Sequence, residues 1–199
     1  MEAAKKDMQV KLLLLGDMAV GKTSLMMRLT DDEFNLNIIG TAGIDLKKKT
    51  LNVEGEDVKV LIYDTAGHDR FRLIAKSQYK GSNGIVLIYD VTDRKTFDNV
   101  AKWMEDIKEN TDSKVEVLLV GNKIDKACES GVKSEEGLAL GQKFQVSFVE
   151  TSAKTGEGVN TAFLKIVTNI FHKLKQTTRP EIITTQPINT DKKKKSKCC

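Results

Sequence analysis

The sequence predicts an open α/β sheet of six strands, mostly parallel, with one antiparallel edge strand and helices on both faces. Three observations carry that prediction. VKLLLL (10–15), GIVLIYD (84–90) and VEVLLVG (115–121) are apolar runs of strand length without polar alternation, as strands covered on both faces require. Between strand-like runs the spacing turns helical, as at Phe97, Val100, Ala101, Met104 and Ile107. At 199 residues, 40% hydrophobic and 30% charged, the chain is long enough for one sizeable core and too short to expect two.

The elements follow in order. VKLLLL enters a glycine loop and then a helix, TSLMMRL. GIDLKKKTL and VKVLIY flank the turn EGED and predict an antiparallel hairpin. GIVLIYD, the 97–107 helix and VEVLLVG come next. Ser134-Glu-Glu predicts a helix start with a serine cap and an acidic first turn. VSFVET is the last strand and Val159–Leu174 the last helix. Both prolines, Pro180 and Pro187, fall in QTTRPEIITTQPINT, which is rich in threonine and poor in large apolar residues, and reads as a disordered linker. The expected organisation is a short extension (1–8), one domain (9–175) and a tail (176–199). In such a sheet, ligands bind outside the carboxyl ends of the strands.

Charge is unevenly placed. DKKKKSKCC (191–199) holds five lysines and one aspartate, so it carries all of the net +4 and leaves the body neutral. That argues against a nucleic-acid surface on the body and for a tail addressed to an anionic leaflet. Cys128, Cys198 and Cys199 with two histidines give neither a disulfide framework nor zinc-ligand spacing, and a reducing compartment is expected. MEAAKKDM predicts no signal peptide, and Glu2 stands where N-myristoylation needs glycine. No apolar run reaches the ~18–20 residues of a membrane span.

Four motifs carry chemistry, each at the carboxyl end of a predicted strand. Gly16-Asp17-Met18-Ala19-Val20-Gly21-Lys22-Thr23, with Ser24 behind it, fits GxxxxGK[ST]. Its backbone N–H groups turn around phosphate oxygens, Lys22 neutralises the outer phosphates, and Thr23 offers a hydroxyl to Mg²⁺. Asp64-Thr-Ala-Gly67 places a second carboxylate toward that metal and a backbone N–H toward the terminal phosphate. In Asn122-Lys123-Ile124-Asp125, the Asp125 carboxylate can accept two parallel hydrogen bonds, matching guanine N1–H and its 2-amino group. Adenine has no such donor pair. Thr151-Ser152-Ala153-Lys154 can give a backbone N–H to the guanine O6.

In this order the motifs resemble those of Ras-superfamily small GTPases, a branch of the P-loop NTPase fold, over residues 9–175. AGIDL (42–46), RFRLI (70–74), YKGSNG (79–84), LIYDVT (87–92) and TFDNVAKW (96–103), together with a terminal Cys-Cys, are similar to the Rab family. The resemblance implies a GTP/GDP switch in vesicle traffic, with Mg²⁺ as cofactor. It implies that Phe34 stacks on the guanine and that Thr41 joins the metal when a γ-phosphate is present. Lys22, Thr41, Gly67 and His68 become the expected catalytic set. The implied partners are an exchange factor, a TBC-type activating protein, a Rab escort protein, a GDP-dissociation inhibitor and effectors on the switch surface. Cys198 and Cys199 would take prenyl groups. Stable anchoring needs two membrane signals, and two chains plus a lysine run supply them. From Lys175 to Cys198 an extended chain reaches roughly 75 Å, so the body can stand clear of the cytoplasmic face of an internal or plasma membrane, with a soluble pool besides.

Four departures from the Rab pattern matter. His68 stands where glutamine usually orients the attacking water. A neutral imidazole has one acceptor and one donor, but on opposite sides of a rigid ring. Slow unassisted hydrolysis is therefore expected, with an activating protein supplying its own arginine and glutamine; the rival reading is that His68 orients the water adequately. Met18 and Ala19 replace a small residue and glycine. Leu46, Tyr63 and Gln78 stand for a Phe-Trp-Tyr effector triad. Ala42 and Leu36 replace an isoleucine and a proline. A second function, from another class, is a GTP-dependent, membrane-bound effector scaffold with negligible hydrolysis. A P-loop kinase is disfavoured by the two guanine-reading motifs and by the lack of an Arg-rich lid.

Overall fold

A computed structural model describes residues 8–35, 41, 43–67, 78–112, 114–127 and 131–178. Six strands form one sheet: β1 (Met8–Leu15), β2 (Ile44–Val53), β3 (Glu56–Thr65), β4 (Gly84–Asp90), β5 (Glu116–Asn122) and β6 (Ser147–Thr151). Their order is β2-β3-β1-β4-β5-β6. Every pairing is parallel except β2 with β3, so the predicted antiparallel strand lies at the edge.

The uniformly apolar strands are the central ones. Every residue of β4 is buried, as is Leu12–Leu15 of β1. Successive side chains point to opposite faces, so Leu12 and Leu14 join one core and Leu13 and Leu15 the other. The first core is closed by α1 (Lys22–Asp31) and by the last helix, through residues such as Phe163, Ile166 and Phe171. The second is closed by α2 (Arg94–Asp98), α3 (Val100–Asn110) and α4 (Ser134–Phe144), with Trp103, Met104 and Ile107 buried. β2, by contrast, is polar and carries lysines at 47–49, which suits an edge strand because charge discourages pairing with another chain.

Three local expectations are corrected. The helical spacing over 97–107 belongs to two helices that meet at Asn99; Asp93 caps the start of the first by accepting from Lys95 N–H. Ser134 does not cap α4. Its hydroxyl donates to Glu150, and Glu136 instead reaches back to accept the Lys133 N–H at 3.0 Å. The last helix, α5, runs from Val159 to Thr178, beyond Leu174. Its final turns are tied to the β2–β3 turn: His172 Nε2 lies 3.1 Å from Glu54 and Lys175 Nζ 2.5 Å from Glu56, while Lys173 pairs with Glu116. Among the described residues no helix is long and apolar enough to cross a membrane.

Candidate guanine-nucleotide site

β1 lies between β3 and β4, so strand order reverses there and a crevice opens at the carboxyl ends. The loop after β1 fills it and leads straight into α1, whose N-cap is Gly21. Gly21 has φ +99°, and a Cβ there would stand 2.4 Å from the Asn122 amide nitrogen. Only glycine fits both that conformation and that approach. Ala19 also adopts a left-handed conformation, φ 63°, at a cost of about 1–2 kcal/mol for a residue with a Cβ. Val20 is buried, whereas the neighbouring Met18 side chain is 64% exposed.

Lys22 is 5% exposed. Its ammonium donates to the carbonyls of Gly16 (2.9 Å) and Asp17 (2.7 Å). Burial pushes its pKa down to about 8, against the opposing pull of Asp64 and Asp17. Gly67 packs close by: a Cβ there would sit 2.4 Å from the Asp17 carbonyl oxygen and 2.5 Å from Lys22 Nζ. Ser24 follows in the first turn of α1, half-buried.

Thr23, Thr41 and Asp64 converge although they are far apart in the chain. The two hydroxyls lie 2.8 Å apart, and each reaches Asp64 Oδ2, at 2.5 Å from Thr23 and 3.0 Å from Thr41. Asp64 is fully buried, and its other oxygen, Oδ1, has no hydrogen-bond partner among the described residues. Burial raises its pKa, and the two hydroxyls and Lys22 oppose that rise. A buried carboxylate oxygen left unpaired beside two hydroxyls is a donor set that fits a small hard dication, because Mg²⁺ binds one or two carboxylates and completes its shell with phosphate and water. Thr23, Thr41 and Asp64 would hold it.

The base-reading end is built differently. Asn122, at the end of β5, donates Nδ2–H to the Val20 carbonyl (2.9 Å) and accepts from Thr151 Oγ1 (3.1 Å) and Ala153 N–H (3.2 Å). One buried amide thus joins three loops. The Ala153 N–H, in the stretch expected to reach the guanine O6, is here held by Asn122. Asp125 Oδ1 accepts from Ser152 Oγ (2.7 Å), and Lys154 Nζ lies 3.9 Å from Oδ2. Lys123, in a left-handed conformation, pairs with Asp90 at 2.6 Å. Phe34 is half-buried and packs against the core. His68 lies outside the described residues, as do Leu36, Ala42, Cys198 and Cys199.

The chain matches the model of the Ras family over residues 11–172. It is 45% identical over 163 residues to Ras-related protein Rab-13 of Canis lupus familiaris, covering 82% of this chain and 80% of that one. It is 41% identical over 194 residues to Rab-10 of Caenorhabditis elegans, covering 97% and 96%. With Rab-8B of Homo sapiens it shares 43% over 168 residues, covering 84% and 81%. The chain belongs to the Rab branch of the Ras family. As a Rab it is a small GTPase, of the kind that acts in vesicle traffic.

Several supports of the Rab site were not visible as motifs. Asp90 ends a fully buried strand just as Asp64 nearly ends β3, and a carboxylate in that position was a signal. Arg28 gave none. From α1 it donates Nε–H to the Ala153 carbonyl (2.9 Å) and an Nη2 proton to that of Lys154 (3.0 Å), so it braces the loop after β6. On the sheet surface, Lys11 joins two members of the altered triad: its ammonium sits 4.8 Å from the Tyr63 ring and 3.2 Å from Gln78 Oε1. Leu46, opposite Tyr63 in register, is exposed.

Proposed function

We propose that this Rab is a membrane-anchored GTP/GDP switch of vesicle traffic whose unassisted hydrolysis is slow. The observation that supports the site most strongly is the convergence of Lys22, Thr23, Thr41 and the half-satisfied Asp64 on one side of a preassembled base-reading frame. Mg²⁺, when bound, supplies positive charge to the phosphates. The chain's own residues do the rest: Lys22 and the loop amides hold the phosphates, Gly67 offers its N–H to the last of them, and Asp125 selects guanine, with Phe34 stacking on the base. The exchange factor, activating protein, escort protein, dissociation inhibitor and effectors of the Rab cycle are the expected partners, acting on the cytoplasmic face of a membrane where Cys198 and Cys199 carry prenyl groups.

Slow release of the γ-phosphate rests on His68, whose ring cannot accept from water and donate to phosphate from one edge. Single-turnover hydrolysis of GTP by the wild type and by His68→Gln tests it. The substitution should speed the unassisted rate about tenfold or more, equivalent to ~1.4 kcal/mol of barrier, and equal rates would end the slow-switch reading. Imaging a fluorescent fusion with and without Cys198 and Cys199 tests the anchor; unchanged membrane association would remove it. The scaffold reading, with negligible hydrolysis, draws support from the exposed Met18 at the rim of the phosphate loop. An activating protein that restores turnover would eliminate it.

A further inference from the structure

Asp17 lies in the phosphate loop, yet its carboxylate is held by residues 82 and 86 positions away. Asn99 Nδ2 donates to one oxygen at 2.7 Å and Trp103 Nε1 to the other at 2.8 Å. The backbone of the same residue is a junction. Its carbonyl accepts from Lys22 Nζ and lies against Gly67, where no side chain would fit. A shift at Asp17 therefore moves the anchor of Lys22 and the residue facing the terminal phosphate together.

The donors are well placed to resist such a shift. Asn99 stands where α2 meets α3, and Trp103 follows one turn later, so a spacing of four sets both on one helix face. Trp103 is 4% exposed and packed with Val100, Met104 and Ile107. The loop beyond Asp17 needs an external anchor, because Ala19 is strained and Met18 is unburied.

We propose that Asn99 and Trp103 are positioning residues for the nucleotide. By clamping Asp17 they keep the phosphate loop in its binding shape and set how slowly bound nucleotide leaves. The proposal rests on the guanine-nucleotide reading of the site. It assigns to the α2–α3 junction a control over release that operates through one carboxylate.

The test uses the full chain loaded with a fluorescent GDP analogue and chased with excess GDP. Trp103→Phe keeps a ring but loses the donor, and release should be about tenfold faster, as for loss of a hydrogen bond to a charged group. Asn99→Ala should act similarly. In an Asp17→Ala background neither change should accelerate release further. Unchanged release in Trp103→Phe overturns the proposal. So does equal acceleration in both backgrounds with a matching fall in unfolding midpoint, which would mark lost packing alone. Trp103 is the chain's single tryptophan, so its emission gives a second readout. It should differ between wild type and Asp17→Ala, and identical spectra would overturn the contact. A wild type that fails to bind the GDP analogue would instead overturn the nucleotide reading and this proposal with it.

Discussion

The base end and the phosphate end of the site are built on opposite principles. At the base end, polar groups satisfy one another: Asn122 joins three loops, Ser152 holds Asp125, Asp90 holds Lys123 and Arg28 holds the carbonyls of Ala153 and Lys154. At the phosphate end, Asp64 Oδ1 has no partner among the described residues, and Lys22 is buried against two carbonyls with its pKa lowered. A frame whose side chains are already braced within the chain has less to order when a base arrives, which limits the cost of binding. An electrostatically incomplete pocket draws its missing charges from what it binds. Specificity thus resides in the finished half, and the response to ligand in the unfinished half.

Four outcomes would break or sharpen that contrast. The largest is expected for Asp125→Asn, which sets an amide against guanine's donor pair; GDP affinity should fall about a hundredfold or more, and xanthosine diphosphate should bind better than to wild type. Unchanged GDP affinity by calorimetry would show that Asp125 does not read the base. Next, Asp64→Asn neutralises the unpaired carboxylate. Adding Mg²⁺ should tighten wild-type GDP binding, and the variant should lose about ten- to a hundredfold of that gain while binding at the same metal-free level, comparable to losing one or two charge-assisted contacts. An intact metal effect would place the ion elsewhere.

Arg28→Ala probes the base frame from outside it. GDP release should speed by about tenfold, the scale of two lost charged-donor hydrogen bonds shared with solvent, and stopped-flow traces that superimpose on wild type would show the brace to be dispensable. The smallest effect is pH dependence. Burial holds the Lys22 pKa down at about 8 and bound phosphates should raise it, so binding should take up a proton and affinity should fall as pH climbs past 8. Between pH 7 and pH 8.5 the dissociation constant should rise about fourfold. A flat profile would mean that the ammonium keeps its proton regardless of ligand.

The sequence was legible where geometry follows from local pattern. Unalternating apolar runs announced buried parallel strands, and the lysine-bearing strand before EGED announced the antiparallel edge. The four motifs sit where parallel strands end, and the structure brings Thr23, Asp64, Asn122 and Ala153 to that edge of the sheet, whereas Thr41 was expected only from the family resemblance. Supports that work across the fold were not legible. Nothing local marks Arg28 as a brace for residues 153 and 154, or Trp103 as a donor to Asp17, since both depend on helix placement against the sheet. Capping failed for a similar reason. Ser134 had the right residue type, but Glu150 on β6 competes for its hydroxyl and leaves Glu136 to satisfy the helix start.

The pinning of α5 to the β2–β3 turn has a mechanical consequence. That turn precedes β3, whose Val58 pairs with Met8 at the start of β1, so it marks the pole of the sheet opposite the nucleotide. α5 descends some 30 Å, at ~1.5 Å per residue, and its foot is moored there through Glu54 and Glu56. If the tail is anchored as proposed, a pull along it would reach this far pole of the sheet before it reached the nucleotide edge.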